Sequence, residues 1–395
     1  MKLEALTLRN FKAFRHAEMR NIPEMCVIVG ANGTGKSTIF KVFGFLRDAL
    51  TEDVHTALVK LGGSKGFKEA RSRNTSGPIV IELKYRVDTD QPLATYRLEI
   101  DELHGAPVVA REVLAFTRGT QGKPFHFIDF KNGKGKAIAA DPSRVKSFRD
   151  LEREPQELKS ADTLAIRGLA QFKKFPAAVA LGELISDWHL SDISIDRARP
   201  EQEAGLSEHL STRGENLSLV LEFLKKRHPS VLASILKQMG QRIPGLKRVD
   251  SKETEEGRVL LRFQDGAFAD PFLARHVSDG TIKMLAYLVL LHDPKPHPLL
   301  CIEEPENQLY PTLLEELAEE FRDYSRRGGQ VFISTHSPDF LNACTLDEVF
   351  WIIKQDGYST IQRASDNAQV KRYMQNDDKM GYLWKQGFFD GVDPR

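Results

Sequence analysis

The order of apolar and polar positions at the start of the chain predicts two strands, a glycine loop and a helix. The runs LEALTLRNF and EMCVIVG have the apolar content of strands. A glycine-rich loop follows the second run and leads into STIFKVFGFLRDAL, whose apolar spacing is typical of a helix. A glycine loop between a strand and a helix is an arrangement that binds phosphate, because the free N–H groups of the helix start point at the ligand.

The middle of the chain predicts a β-rich lobe followed by helices. Short alternating segments run from about 79 to 140 and end at Asn132-Gly133, a pair typical of a tight hairpin. Helical spacing then covers residues 155–187 and 215–240, which are joined by a polar loop. We therefore expect the first helices to pack on the lobe.

The last part of the chain predicts strands and helices in alternation. The strand-like run RVLLRF at 258–263 precedes a helix at 280–292, the strand LLCIEE, a helix at 311–327 and the strands QVFIST and EVFWIIK. This order is typical of a parallel sheet covered by helices. The sequence thus predicts an α/β fold, without internal repeats and without the sustained heptads of a long coiled coil.

Composition indicates an ordinary globular protein and limits its partners. The chain has 41% hydrophobic and 28% charged residues, which excludes disordered and fibrous classes. Because 56 Lys+Arg stand against 55 Asp+Glu, any DNA contact must use a local patch. The candidate basic clusters lie at 65–73, 131–136 and 225–227, and each is more typical of a solvated surface than of a phosphate track.

Neither a membrane nor a disulfide role is expected. The longest apolar run, MLAYLVLL at 284–291, is far shorter than the roughly 20 residues that span a bilayer. The three cysteines form no CxxC pair and fit buried thiols in a reducing compartment. We therefore expect a cytoplasmic protein. His292 and His297 flank the loop DPKP, and we do not expect them to bind a metal ion.

The glycine loop GANGTGKST at 30–38 satisfies the pattern GxxxxGK[ST] in the required strand–loop–helix context. Its glycines allow successive N–H groups to face the phosphates, Lys36 can reach the β and γ oxygens, and the Ser37 hydroxyl can bind Mg²⁺. The residues predicted to bind nucleotide here are Gly30, Asn32, Gly33, Thr34, Gly35, Lys36, Ser37 and Thr38.

Two carboxylates follow the apolar run of LLCIEE. Adjacent strand residues point to opposite faces, so we expect Glu303 and Glu304 to differ in role. Glu303 is predicted to hold Mg²⁺, and Glu304 to polarise water at the strand end, where ligands bind in open α/β sheets. Without the phosphate-binding loop, both would be interpreted as solvated strand-end glutamates.

Two further polar clusters begin or end predicted elements. His336, after Ser334 and Thr335, ends the strand QVFIST and could hydrogen-bond a γ-phosphate. Ser278 and Gly280 lie at the start of the helix at 280–292, where Ser278 can cap and free N–H groups can meet an anion. Taken singly, both clusters are more often structural caps.

Together and in this order, the four elements resemble the ATP-binding-cassette (ABC) head of the RecF, SMC and overcoming-lysogenisation-defect (OLD) ATPases, in particular the small RecF-like or OLD-like bacterial proteins without a TOPRIM domain. In this resemblance GANGTGKST is the Walker A motif, VSDGT the signature, LLCIEEPE the Walker B motif, and STHSP carries the switch histidine. The resemblance covers about residues 1–50 and 205–355. The chain departs from it at Glu303, usually aspartate, and at Asp279, usually glycine.

The resemblance implies an ATPase that uses ATP and Mg²⁺ and acts as a homodimer or higher even oligomer. ATP would be sandwiched between the Walker A motif of one subunit and the Ser278 loop of another. Lys36, Glu304 and His336 would be the catalytic residues, with Glu304 as the general base and His336 as the sensor of the γ-phosphate. Ser37 and Glu303 would hold the metal ion.

The resemblance also implies a domain organisation and a partner. The head is predicted at 1–85 and 205–355, an inserted β-rich and then helical lobe at 86–204, and a strand with an aromatic tail packing on the head at 356–395. The sequence after His336 is too short for a TOPRIM nuclease, so we expect a separate effector protein, such as a TOPRIM-type nuclease, in bacterial antiviral defence. The alternative is a stand-alone RecF-like DNA-binding ATPase in DNA repair.

Overall fold

The computed structural model describes residues 2–88, 90–119, 122–145, 147–148, 151–376 and 378–389. The chain forms two compact units, and the second is inserted into the first. The first unit is Met1–Trp188 with Thr345–Arg395, and the second is His189–Cys344. The head and lobe boundaries expected from the sequence differ from these and stay a prediction.

The first unit is built mainly from antiparallel strands. Its strands are β1 (Lys2–Phe11), β2 (Phe14–Arg20), β3 (Met25–Val29), β4 (Ile79–Arg86), β5 (Leu93–Leu103), β6 (Ala106–Thr117), β7 (Phe125–Lys131), β8 (Lys134–Ala137), β9 (Glu154–Glu157), β17 (Val349–Gln355) and β18 (Tyr358–Arg363). Its helices are α1 (Lys36–Thr51), α2 (Val54–Gly62), α3 (Phe67–Ala70), α4 (Ala165–Leu169), α5 (Pro176–Ser186), α12 (Ala368–Gln375) and α13 (Met380–Lys385).

An eight-stranded antiparallel sheet has the order β2-β1-β4-β5-β6-β7-β8-β9. In β5 every second residue is buried, so one face of the strand is in the core. The turn after β7 uses Asn132 and Gly133 at φ 48° and 79°, as a hairpin with two left-handed residues requires. The predicted β-rich segment is thus present, and its sheet also includes the N-terminal strands.

The predicted helical region 155–187 is only partly helical. Its start continues β9, which pairs with β8 (Gly135 opposite Gln156, and Lys136 opposite Pro155). Only α4 and α5 are helices, and Pro176 at the first position of α5 sets where that helix begins. Pairing with a neighbouring strand therefore overrides the helical spacing at the start of this region.

A separate layer of the first unit contains β3, β17 and β18. Strand β17 runs parallel to β3, and β18 pairs antiparallel with β17. All five residues of β3 are buried. The C-terminal residues pack on this layer, since the Phe389 ring lies 4.7 Å from that of Trp351 in β17, centroid to centroid.

The second unit combines a parallel and an antiparallel arrangement. Its strands are β10 (His189–Ser191), β11 (Gln202–Glu203), β12 (Leu246–Glu253), β13 (Arg258–Asp265), β14 (Phe272–Leu273), β15 (Leu299–Glu303) and β16 (Gln330–Thr335). Its helices are α6 (Ile195–Ala198), α7 (Leu217–Arg227), α8 (Pro229–Arg242), α9 (Asp279–Leu291), α10 (Leu313–Arg326) and α11 (Pro338–Asn342). Strands β10, β15 and β16 are parallel, in that order.

Two predictions for the second unit need correction. Strand β13 does not join the parallel strands but pairs antiparallel with β11, β12 and β14. Its burial alternates, which suits a sheet with one solvated face, whereas β16 is buried throughout. The helix predicted at 215–240 is two helices, because Pro229 starts α8 and disfavours a helical conformation at His228.

The architecture is nevertheless the predicted α/β class with mixed sheets. Within the described residues, the longest helix is α1 with 16 residues, so these ranges hold no long coiled coil. In the same ranges no helix is both long and apolar enough to cross a bilayer.

Glu112 of β6 is a fully buried carboxyl that holds the start of α4. It accepts hydrogen bonds from the Tyr96 hydroxyl at 3.0 Å, from Ile166 N at 3.1 Å and from Ala165 N. Burial raises the pKa of Glu112 to about 7, against the lowering effect of these donors. The folded state therefore holds this proton over a pH range in which the unfolded chain has released it.

This pKa predicts a pH-dependent stability that Glu112→Gln should remove. Because the folded pKa lies above the unfolded one, the free energy of unfolding falls as the pH rises from about 4.5 to 7, by about 3 kcal/mol in total. Glutamine keeps the size and an acceptor but does not titrate. Urea unfolding at pH 5 and at pH 8 measures this: on going to pH 8 the wild type should lose stability that the variant keeps. An equal change of unfolding free energy in both proteins would contradict a buried proton on Glu112.

Candidate nucleotide-binding site

The loop between β3 and α1 has a backbone that only glycine adopts readily. Gly33 and Gly35 have φ of 73° and 107°, in the left-handed region. A Cβ on Gly30 would lie 2.7 Å from Thr34 Oγ1 and 2.8 Å from the carbonyl oxygen of Ile352. Glycine is therefore needed for two reasons. Gly33 and Gly35 adopt left-handed backbone conformations, and Gly30 packs too closely against its neighbours for a side chain.

Lys36 lies inside this loop as the first residue of α1. Its side chain is buried, and Nζ donates to the carbonyl oxygens of Gly30 at 2.7 Å and Ala31 at 3.1 Å. Gly35, which precedes it, supplies no capping side chain to α1. A positive charge and an uncapped helix start thus face the same loop, which favours an anion there.

The other predicted loop residues are divided between surface and interior. Asn32 and Ser37 are exposed, whereas Thr34 and Thr38 are buried. Thr34 Oγ1 donates to the Ala31 carbonyl at 2.8 Å, and Thr38 N donates to the Gly35 carbonyl at 2.9 Å. The exposed hydroxyl of Ser37 is therefore available to a ligand, while the two threonines hold the loop.

Two residues far along the chain support the loop and were not predicted. Ser359 Oγ of β18 donates to the Thr34 carbonyl at 2.5 Å, and Lys354 Nζ of β17 donates to the Gly33 carbonyl at 3.3 Å. No local pattern signals either contact, because both partners are more than 300 residues away in sequence. The loop is thus fixed from the C-terminal strands of the first unit.

Within the second unit, Glu303 and Glu304 lie in different backbone settings, and their predicted roles stay a prediction. Glu303 ends β15 beside Ser334 of β16 and is exposed. Glu304 has φ of 47°, which is uncommon for a residue other than glycine, and its N–H donates to the Ser334 carbonyl at 2.9 Å. The left-handed backbone turns the chain sharply just after the strand, as at many functional sites.

The structure brings Glu304 and His336 together. His336 Nε2 lies 3.0 Å from Glu304 Oε1, and Asn307 Nδ2 donates to Glu304 Oε2 at 2.9 Å. Both members of the pair are about one third exposed. A carboxylate held beside an imidazole at a solvent-accessible strand edge can accept a proton from water, which suits the predicted base.

Glu306 is a site residue that the sequence analysis missed. Its Oε1 accepts from Thr335 Oγ1 at 2.9 Å and from His336 N at 2.6 Å. Glu306 therefore fixes the backbone that carries His336. The only sequence signal was the third carboxylate of EEPE, two residues beyond Glu304.

Lys283 of α9 is buried next to these carboxylates. Burial lowers the pKa of Lys283, while Glu306, Asp192 and Glu304 act on it in the opposite direction. The ammonium places a positive charge near the carboxylates that follow β15 and β10. Helix α9, which carries the predicted signature at its start, is thus linked electrostatically to the glutamates within the second unit.

The predicted signature forms the start of α9. Ser278 is exposed and caps the helix, accepting from Thr281 N at 3.3 Å. Asp279 makes an ion pair with Arg199, which offsets the extra negative charge at this position. A Cβ on Gly280 would lie 2.8 Å from the Gln308 carbonyl oxygen, so glycine is required where α9 meets the loop after β15.

A glycine loop between a strand and a helix, with a buried lysine at the helix start, is the pattern of a P-loop nucleotide-binding domain. The family profile described as "AAA domain, putative AbiEii toxin, Type IV TA system" matches residues 25–342. The chain belongs to this family.

Two curated relatives are similar to parts of this chain. The chain is 30% identical over 115 residues to the "DNA double-strand break repair Rad50 ATPase" of Saccharolobus solfataricus, a match covering 29% of this chain and 13% of that protein. It is 25% identical over 139 residues to the "DNA replication and repair protein RecF" of Paenarthrobacter aurescens, covering 33% and 34%. The chain thus matches only about a third or less of either relative's length.

A solved structure supports the fold alone. It is described as "Crystal structure of the SmcHead bound to the C-winged helix domain of ScpA" and has a TM-score of 0.55 at 15% identity, covering 92% of this chain and 97% of that one. With the family match, these similarities confirm the predicted ABC-type ATPase head of the RecF/SMC group.

Replacing Lys36 with alanine should remove most of the ATP affinity. A hydrogen bond to a charged partner contributes about 1.5–3 kcal/mol, so binding should weaken roughly 10- to 150-fold. Calorimetric titration of the variant measures this, with Lys41→Ala, an exposed lysine of the same helix, as the matched control. Equal losses in both variants, or none in either, would contradict the role of Lys36.

Proposed function

We propose that this chain is a Mg²⁺-dependent ATP-binding and ATP-hydrolysing switch that dimerises through nucleotide and controls a separate effector. The observation that carries the proposal is the loop after β3, which holds a buried Lys36 ammonium and a helix start without a capping side chain. The family match supports the same function.

In this proposal Lys36 and the N–H groups of Gly33, Thr34 and Gly35 bind the phosphates. Asn32 and Thr38 belong to the same loop and help to shape it. Ser37 and Glu303 offer a hydroxyl and a carboxylate, both exposed, and such hard oxygen ligands suit Mg²⁺. When bound, Mg²⁺ neutralises charge on the phosphate oxygens.

Glu304 is the proposed general base, and His336 the sensor of the γ-phosphate. In the structure each carboxylate oxygen of Glu304 has a hydrogen-bonding neighbour, His336 or Asn307. A γ-phosphate that draws the His336 imidazole toward itself would release one of these oxygens to accept a proton from water. The pair would thereby couple phosphate recognition to activation of the base.

The exposed start of α9 is the proposed contact with the nucleotide of a second subunit. Ser278 and Gly280 would present the hydroxyl and the backbone there, and Arg199 would keep Asp279 from repelling the phosphate. ATP would then bridge two copies of the chain, and hydrolysis would release them. The fold likeness to an SMC head that was solved with a protein partner is compatible with an additional partner here.

The cellular role that we favour is control of an effector, such as a TOPRIM-type nuclease, in cytoplasmic antiviral defence. The family description, which names a toxin and a toxin–antitoxin system, supports a regulatory setting. The alternative is a DNA-binding ATPase of repair, which the names of the Rad50 and RecF relatives favour. ATP-dependent retention on DNA with a steep salt dependence would favour the alternative.

Glu304→Gln should bind ATP normally but hydrolyse it at least about 10²-fold more slowly, because a general base usually contributes that much. Phosphate release measures hydrolysis, and light scattering with ATP should show the variant gaining mass because the bridged form persists.

Glu315→Gln, a surface carboxylate of the first turn of α10, is the matched control and should retain wild-type turnover. Near-normal turnover of Glu304→Gln would transfer the base role to another residue.

A further inference from the structure

A second cluster of metal-ligating side chains lies in the second unit, at the end of the loop that enters β15. His209 Nδ1 is 2.7 Å from Asp293 Oδ2. One ligand atom from each of His209, Asp293 and His297 lies within 4.8 Å of the others. The ring of His189 stacks on that of His297, with centroids 4.7 Å apart and planes at 21°.

The carboxylate of this cluster is buried. Asp293 is 4% exposed, and its Oδ1 accepts from Lys295 N at 2.8 Å. Among the described residues its one ion-pair neighbour is His209. Burying an ionised carboxylate raises the free energy of the folded state unless a positive charge or a metal ion accompanies it. The negative charge of Asp293 could therefore be balanced by a bound cation.

A similar pair elsewhere shows the contrast. His126 Nδ1 lies 2.9 Å from Asp129 Oδ2 in β7, but Asp129 also pairs with the Arg111 guanidinium at 3.1 Å. Both residues of that pair are about one third exposed. The negative charge of Asp129 is therefore balanced by Arg111, and the His126 pair is open to water. The neighbours of Asp293 in its cluster are two imidazoles, those of His209 and His297.

The ligands are held by hydrogen bonds to their own backbone segments. The His297 carbonyl accepts from the Tyr324 hydroxyl at 3.0 Å, in a segment where three prolines restrict the chain. The His209 carbonyl accepts from Asn216 Nδ2 at 2.9 Å. The His209 side chain is 37% exposed, which leaves a path for an ion from solvent.

We propose that His209, Asp293 and His297 bind a divalent transition-metal ion, with Zn²⁺ as the preferred ion. Two imidazoles and a carboxylate are a common zinc set, and tetrahedral ligands about 2 Å from the ion lie about 3.3 Å apart. The His209–Asp293 hydrogen bond need open by less than about 1 Å to reach this spacing. The ion takes the place of the hydrogen bond between these two atoms, and the neutral His209 imidazole then carries its proton on Nε2.

This proposal revises the expectation that His297 binds no metal. His292 flanks the same loop as His297 in the sequence, but its ring nitrogens contact Gln238 Nε2 at 3.0 Å and the Leu288 carbonyl oxygen. His209, which hydrogen-bonds Asp293, is 84 residues away from it in sequence. No sequence motif links the two residues. The bound ion would fasten the segment before α7 to the loop that enters β15, independently of the nucleotide site.

Metal titration of the nucleotide-free full chain tests the proposal. After treatment with chelator, the protein should bind one equivalent of Zn²⁺, and Co²⁺ should give the visible absorption of a tetrahedral N/O site. His209→Ala and Asp293→Asn should each weaken binding at least about 10-fold. His126→Ala, which breaks the matched pair in β7, should bind like wild type, and Zn²⁺ should raise the melting temperature of wild type but not of His209→Ala.

The histidine beside Glu304 is the competing site, so His336→Ala is titrated in parallel. Loss of zinc in His336→Ala with retention in His209→Ala would overturn the proposal, as would no binding by wild type at micromolar Zn²⁺. Circular dichroism confirms that each variant is folded. If Asp293→Asn is not, the exposed His209→Ala decides the outcome, with His209→Gln as the size-matched second variant.

Discussion

The Lys36 ammonium, buried against the carbonyl groups of Gly30 and Ala31, is the interaction on which the nucleotide loop depends. A buried charge needs partners, and here neutral carbonyls provide them until an anion arrives. The loop can wrap the lysine because Gly33 and Gly35 take left-handed conformations and Gly30 has no side chain. Strands β17 and β18 then hold the loop from outside. The Lys36 ammonium is thus held in place by the loop, by β3 and α1 on either side of it, and by β17 and β18.

The second unit meets a different constraint, which is to place several carboxylates at one strand edge without mutual repulsion. The left-handed turn at Glu304 directs consecutive glutamates to different surroundings, and His336, Asn307 and the buried Lys283 provide donors or positive charge. Glu306 adds rigidity by binding the backbone of His336. At Asp279, too, a neighbouring positive charge balances the carboxylate, since Asp279 is paired with Arg199. Such local neutralisation fits a chain whose overall charge is only +1.

Local patterns predicted the parts of this protein that depend on neighbours in sequence. The glycine loop, β15 with its glutamates, α9 and the Asn132-Gly133 turn were all predictable because motif spacing or turn chemistry specifies them. The pairing of β13 could not be predicted from local patterns, because the partners of a strand depend on residues far away in sequence. The support of the loop by Ser359, the role of Glu306 and the approach of His209 to Asp293 were missed for the same reason. Each requires the tertiary fold to bring remote groups together.

The central claim is that ATP is shared between the Lys36 loop of one subunit and the Ser278 loop of another, and mixing two inactive variants tests it most directly. Lys36→Ala and Ser278→Arg should each hydrolyse little ATP alone. Their heterodimers would contain one intact shared site, so an equal mixture should recover about one quarter of wild-type turnover. A mixture no more active than the separate variants, while Ser278→Arg still binds ATP, would contradict a site formed by two subunits.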